Sequence, residues 1–172
     1  MNRVEMYGKI CFKSSDYSLI RVACKTGVLD TFRIWGLPKE VELGQSVTII
    51  GELCCKPFEP YGIPKMLGVK VNEVRKGKQQ TILTISGNIV KKYPLKYAMD
   101  GYPMVNLVVK LDKDTFVSVA LTDEIAEAAD WWLRVDDEVE VDGFLSNRKF
   151  ENGKTGKSFV NAEVCAIGIN RA

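Results

Sequence analysis

The sequence predicts an all-β chain with one short helix, folded as two tandem five-stranded barrels. Three observations predict it: an internal repeat, strand-like alternation in both halves, and a single amphipathic helix at one place in the order.

The repeat has three landmarks in the same order. Met6-Tyr7-Gly8-Lys9-Ile10 matches Ile85-Ser86-Gly87-Asn88-Ile89, and Asp30-Thr31-Phe32 matches Asp114-Thr115-Phe116. The longest match sets Leu43-Gly44-Gln45-Ser46-Val47-Thr48-Ile49-Ile50-Gly51-Glu52-Leu53 against Val135-Asp136-Asp137-Glu138-Val139-Glu140-Val141-Asp142-Gly143-Phe144-Leu145. There an apolar residue, two alternating apolar positions, a glycine and a leucine recur at one spacing. The polar run Arg75-Lys76-Gly77-Lys78-Gln79-Gln80 separates the copies. This gives a first domain over 1–76, a linker at 77–80 and a second domain over 81–172.

Val105, Leu107 and Val109 alternate with other residues, as a half-buried strand requires. So do Val117, Val119 and Leu121, then Val139, Val141, Gly143 and Leu145, and last Val160, Ala162, Val164 and Ala166. A helix is expected over Thr122–Leu133. Thr122 suits the N-cap, Asp123 and Glu124 suit the positive first turn, and Ile125, Ala129, Trp132 and Leu133 make one apolar stripe. In the first half only Leu37-Pro38-Lys39-Glu40-Val41 occupies that slot, so its helix should be shortened or absent. Three strands, a helix and two strands, with glycine at bends, describe a small closed barrel, the OB-fold. A β-sandwich is the structural alternative; an insertion at the same place in both halves favours the barrel.

Composition excludes several functions. The chain has 172 residues and no histidine, which removes the commonest general base, Ser-His and Cys-His dyads, and His-ligated metal. The five cysteines show no C-x-x-C, so no zinc knuckle or disulfide framework is expected. No phosphate-cradling glycine loop occurs. Catalysis, a metal and a cofactor are therefore not expected. Nor is a membrane span, because no long uncharged apolar run exists. Met1-Asn2-Arg3-Val4-Glu5 contains no apolar run of signal-peptide length, which points to the cytoplasm.

The net charge of +2 hides segregation. Residues 123–142 carry nine acids and one arginine. The cations of the second half gather in Lys91-Lys92-Tyr93-Pro94-Leu95-Lys96-Tyr97 and in Arg148-Lys149-Phe150-Glu151-Asn152-Gly153-Lys154-Thr155-Gly156-Lys157. These are the expected first and last loops of the second barrel, which an OB-fold raises on one side of its binding face. Both mix cations with aromatic rings. That combination suits unpaired nucleic acid, because cations neutralise phosphates and rings stack on bases. The first half echoes it. Lys13 and Tyr17 flank its first loop, Lys56 and Phe58 its last, and Arg21, Phe32, Arg33 and Trp35 lie on strands between. Loop charges are usually solvated surface and small β-domain aromatics usually core; four mixed loops, two per repeat, favour the binding role. The expected stacking rings are Tyr93, Tyr97, Phe116 and Phe150, with Tyr17, Phe32, Trp35 and Phe58 in the first half. Trp131, beside nine acids and off the helix stripe, is the candidate for binding a partner protein.

Residues 82–167 resemble the bacterial and phage single-stranded-DNA-binding proteins. The resemblance rests on Leu83-Thr84-Ile85-Ser86-Gly87-Asn88-Ile89, Phe116-Val117-Ser118-Val119-Ala120-Leu121, Ile125-Ala126-Glu127 and the run from Asp137 to Phe150. Gly156-Lys157-Ser158 and Asn161-Ala162-Glu163-Val164 extend it. It implies that Phe150 and Phe116 stand at positions where family members stack a ring on a base. The first half looks like a more divergent copy, with Phe32-Arg33-Ile34-Trp35-Gly36 similar to the family's strand ending in Trp-Gly. The resemblance implies single-stranded DNA as partner, roles in replication, recombination or transfer, and a bacterial or phage-infected cell. Replication proteins (a polymerase, primase or helicase) are further expected partners, and RNA is the alternative ligand. Family members assemble four such domains, so the resemblance implies that a homodimer of this two-domain chain would supply the same number; a monomer is the equal alternative.

Overall fold

The computed structural model describes residues 1–23, 27–58, 63–78, 81–151, 153 and 155–172. The chain divides into two compact units. The first unit comprises Arg3–Ile82 and Ser146–Ala162; the second comprises Met1–Asn2, Leu83–Leu145 and Glu163–Ala172.

The strands of the first unit are β1 (Asn2–Lys13), β2 (Ser18–Ala23), β3 (Leu29–Trp35), β4 (Ser46–Phe58) and β5 (Ile63–Arg75). They pair in the order β2-β3-β5-β4-β1, and a β1–β2 pairing closes the barrel. β1 can serve both neighbours because it bends. Lys9 is in register with Ser46 of β4 and with Arg21 of β2, and a bulge follows between Ile10 and Phe12. Met6, Ile10, Ile20, Ile34 and Ile49 are fully buried inside. The parallel β3–β5 ladder is short, Ile34 to Val69 and Trp35 to Lys70. Ahead of it two asparagines of the Ser146–Ala162 segment take over. Asn147 Nδ2 donates to Thr31 O at 3.0 Å, and Leu67 N donates to Asn161 Oδ1 at 3.0 Å. Backbone groups that the ladder leaves open are thus satisfied by side-chain amides.

The second unit contains β6 (Ile82–Lys92), β7 (Lys96–Tyr97), β8 (Pro103–Lys110), β9 (Phe116–Thr122) and α1 (Asp123–Trp132). Its last strands are β10 (Glu138–Glu151) and β11 (Ser158–Arg171). β10 leaves the unit after Leu145, and β11 re-enters it at Glu163. The order is β6-β10-β11-β9-β8, closed by β6–β8, with β9 and β11 parallel. β7 pairs with β8. The bulge recurs in β6, between Ile89 and Lys91.

The repeat's glycine landmarks have one physical cause. A Cβ on Gly8 would lie 2.4 Å from Arg21 O, and on Gly87 2.2 Å from Lys110 O. On Gly51 it would lie 2.1 Å from Lys70 O, and on Gly143 2.2 Å from Cys165 O. Neighbouring backbone passes too close for any side chain, at matching points of both barrels. The turns before β4 and β10 also match. Ile10 exchanges backbone hydrogen bonds with Gly44 and Gln45 as Ile89 does with Asp136 and Asp137. Gly44 takes φ +88° and Asp136 takes φ +76°.

The helix slots differ. Thr122 stands at the N-cap in extended conformation but makes no side-chain cap bond, so the first-turn acids carry the electrostatic match. The buried stripe is Ala126, Ala129 and Leu133, and Trp132 is 41% exposed. Ala129 and Leu133 of the expected stripe are buried and Ile125 is half-buried, whereas Trp132 departs from it and Ala126 takes its place. Two alanines let α1 sit close on β8 and β9, which turns the large ring outward. In the first unit residues 36–45 form no helix, and Val41 is buried in that slot instead. The sequence places Arg148-Lys149-Phe150 in a loop. They lie instead within β10, which stays extended to Glu151, although its buried-and-exposed alternation ends at Leu145.

Candidate nucleic-acid interface

In the first unit the β1–β2 turn is tied by Ser14. Its Oγ donates to Tyr17 O at 2.8 Å and accepts from Tyr17 N at 3.2 Å. This fixes Tyr17 beside Phe12, with ring centroids 5.4 Å apart, and under the Arg33 guanidinium at 5.4 Å. Phe12 is 40% exposed. Beside this group a cleft of about 300 Å³ is lined by Leu19, Arg33, Met66, Asn147 and Val160 among others. On the Ser146–Ala162 segment Phe150 stacks on Phe159 at 5.8 Å and 21°, and Arg148 lies over Phe150 at 5.3 Å. Arg148 and Phe150 share a strand face because they are two residues apart. Lys149 and Lys157 are exposed.

In the second unit Asp112 builds the β8–β9 turn by accepting from the amides of Asp114 and Thr115, both at 2.9 Å. The Asp114 amide, foremost, holds its carboxyl below the usual carboxylate range. The turn sets Lys110 opposite Phe116, with Nζ 5.8 Å from the centre of a ring that is itself 40% exposed. Lys91 Nζ lies 4.6 Å over the Tyr93 ring. Tyr93 and Tyr97 are exposed, the latter on β7 beside exposed Lys96.

Several expected residues do other work. Phe32 is only 3% exposed, on the same inward face of β3 as Ile34, so no base can reach its ring. Trp35 is 8% exposed, held between Gly68, where a Cβ would fall 2.4 Å from the indole, and Lys56 Nζ at 5.2 Å above the ring. It is a wall of the barrel rather than an open platform, and Lys56 is its exposed cover. Lys92 Nζ donates to Asp130 O at 2.8 Å and Leu133 O at 3.0 Å, neutralising the negative end of α1. In the first unit, whose slot holds no helix, Lys13 Nζ likewise bonds outgoing carbonyls, those of Val41 and Lys39. Both lysines are spent on structure. Arg21 is exposed on β2, away from Tyr17. Lys154 lies outside the described residues, as does the side chain of Phe58, the last residue of β4. The two cation-rich segments of the second half fall in different units: Lys91–Tyr97 belongs to the second and Arg148–Lys157 to the first.

Phe12, which brackets the first loop in the sequence, is joined at the interface by Phe159, Lys110 and Met66, which the sequence did not single out. Phe159 could have been found from its place across a hairpin from Phe150. Trp131, on α1, is 81% exposed. Burial pushes the Cys54 thiol up to about 11, which leaves it a packing group rather than a nucleophile.

Each unit is thus a closed five-stranded barrel of OB topology, with a parallel contact between third and fifth strands and a helix slot before the fourth. The chain is similar over its whole length to the single-stranded DNA binding protein from Thermus aquaticus. The wild-type protein matches at TM-score 0.70 and 20% identity, covering 100% of this chain and 93% of that one. A deletion variant of it matches at TM-score 0.70 and 18% identity, covering 100% and 94%. No protein-family model matches the chain, and neither does any curated protein.

Proposed function

We propose that this chain binds single-stranded DNA with little sequence preference, by phosphate neutralisation and base stacking, and performs no chemistry. One observation carries the reading: cations repeatedly lie against accessible rings. Arg33 with Tyr17, Arg148 with Phe150, Lys91 with Tyr93 and Lys110 with Phe116 each set a positive group within 6 Å of a ring centre. A nucleotide presents an anion joined to a flat base, and each pair offers one group to each part. The Thermus aquaticus protein that shares the fold is a single-stranded DNA binding protein, which supports the reading. Action in replication, recombination or transfer, in the cytoplasm of a bacterial or phage-infected cell, fits such a binder. A dimer would bring four barrels to one strand.

Fluorescence titration with an oligothymidine at low and high salt tests this. Quenching that is strong at low salt and weakens as salt rises is expected. Absence of quenching at low salt overturns the proposal. Competition by the matching RNA oligomer at equal affinity would shift the ligand to single strands in general.

Trp131 favours a second reading, an interaction module for a polymerase, primase or helicase. An indole 81% exposed on a helix bearing Asp123, Glu124, Glu127 and Asp130 suits a partner with a basic, apolar-centred surface. Pull-down by wild type but not by Trp131→Ala, with DNA affinity equal in both, is the expected result.

A further inference from the structure

The outer face of the β2–β3 ribbon continues past the Tyr17–Arg33 group. Along β2, outward positions run Leu19, Arg21, Ala23; along β3 they run Arg33, Thr31, Leu29. Leu19, Thr31 and Arg33 line the cleft already described. Leu29, Arg21 and Ala23 line a second one, about 330 Å³, completed by Tyr7, Gly8, Lys9, Ser46, Lys78 and Thr81.

This second cleft exists because β1 bends there. Gly8 has no room for a side chain, and Lys9 pairs with both Ser46 and Arg21. The register sets Lys9 directly opposite Arg21, so two positive side chains stand as cross-strand neighbours, an arrangement that repels. A third cation comes from the linker. Thr48, fully buried, donates through Oγ1 to Gly77 O at 2.7 Å, and Gly77 at φ +89° turns the chain so that Lys78 reaches the cleft. None of the three cations has an ion pair among the described residues, and no described carboxylate lines the cleft. Three cations without ion pairs among the described residues surround one concavity, with Tyr7 and Leu29 as apolar walls, and a positive concavity of this kind attracts anions.

We propose that Lys9, Arg21 and Lys78 form a phosphodiester site where the DNA strand runs on from the Tyr17–Arg33 group along the outer face of the ribbon. The inference rests on the single-stranded DNA reading. Arg21 supplies a planar fork to two phosphate oxygens, and the lysines act as point charges on either side. The cleft's volume lies at the low end of those that hold small ligands, so it accommodates one sugar-phosphate unit rather than a run of them.

The test is oligothymidine affinity of the full chain over a salt series. Arg21→Ala/Lys78→Ala is set against the control Lys39→Ala/Lys113→Ala, which removes two exposed cations elsewhere. Each lost single-strand phosphate contact lowers the slope of log affinity against log salt by about 0.7, so the first double variant should lower it by about 1.4. Between about 50 and about 200 mM salt its affinity should then fall about sevenfold less than that of wild type. The control should keep the wild-type slope. An unchanged slope in Arg21→Ala/Lys78→Ala, or an equal loss in the control, overturns the site while leaving the binding function standing. Wild type that fails to bind at low salt overturns both. A mononucleotide titration followed by NMR supplies an independent arm: shifts of the Gly8, Lys9 and Arg21 amides are expected in wild type, and none after Lys9→Gln/Arg21→Ala.

Discussion

Between its third and fourth strands the second unit carries α1, whereas the first carries an irregular loop with Val41 as its plug. Yet Lys92 and Lys13, at matching places past the bulges of β6 and β1, bond the carbonyls that leave these two slots. The barrel's requirement is therefore an apolar plug and a cation on the outgoing carbonyls, and a helix is one of two ways to provide the plug. The same contrast explains why basic residues near a loop misled: their charge is consumed inside each unit.

The equivalence of the two barrels can be broken most forcefully at their glycines. Gly51→Ala and Gly143→Ala each force a methyl against a neighbouring carbonyl, and each should lose about 3 kcal/mol in urea unfolding. A well-tolerated alanine at either site would show that the close approach is not shared. Next, Lys92→Met should lose about 2 kcal/mol, since it abandons charged hydrogen bonds at a helix end, and Lys13→Met about half as much. The folded variants should keep wild-type DNA affinity; a tenfold drop would return both lysines to the interface. Smaller still, Phe150→Ala in the first unit and Phe116→Ala in the second should each weaken oligothymidine binding by about 1.4 kcal/mol, while Trp132→Ala leaves it unchanged. An effect confined to one phenylalanine would mean that one barrel alone holds DNA. Last, Asp136→Gly should gain about 0.5 kcal/mol by relieving a left-handed backbone that Gly44 already adopts freely in the first unit.

The barrel order was legible because close packing imposes the same glycine on both copies, and because the acids at Asp123 and Glu124 mark a helix start whatever its neighbours are. Phe32, expected as a stacking ring, is buried, although its two-residue spacing to Ile34 already marks the inward face of β3. The burial of Trp35 was not legible, since it depends on the bare backbone of Gly68, remote in sequence. Nor did local pattern reveal that Arg148, Phe150 and Phe159 belong beside residues of β3 and β5. That association rests on two asparagine amides meeting Thr31 and Leu67, and no periodicity encodes a contact across so much chain.

Those two amides also bear on how the protein is made. A ribosome finishes β1 to β5 long before Asn147 and Asn161 emerge, so through that interval Thr31 O and Leu67 N lack the groups that satisfy them. The first barrel is thus completed by residues translated only after β6 to β9 and α1, so its last hydrogen bonds form after much of the second unit has been made.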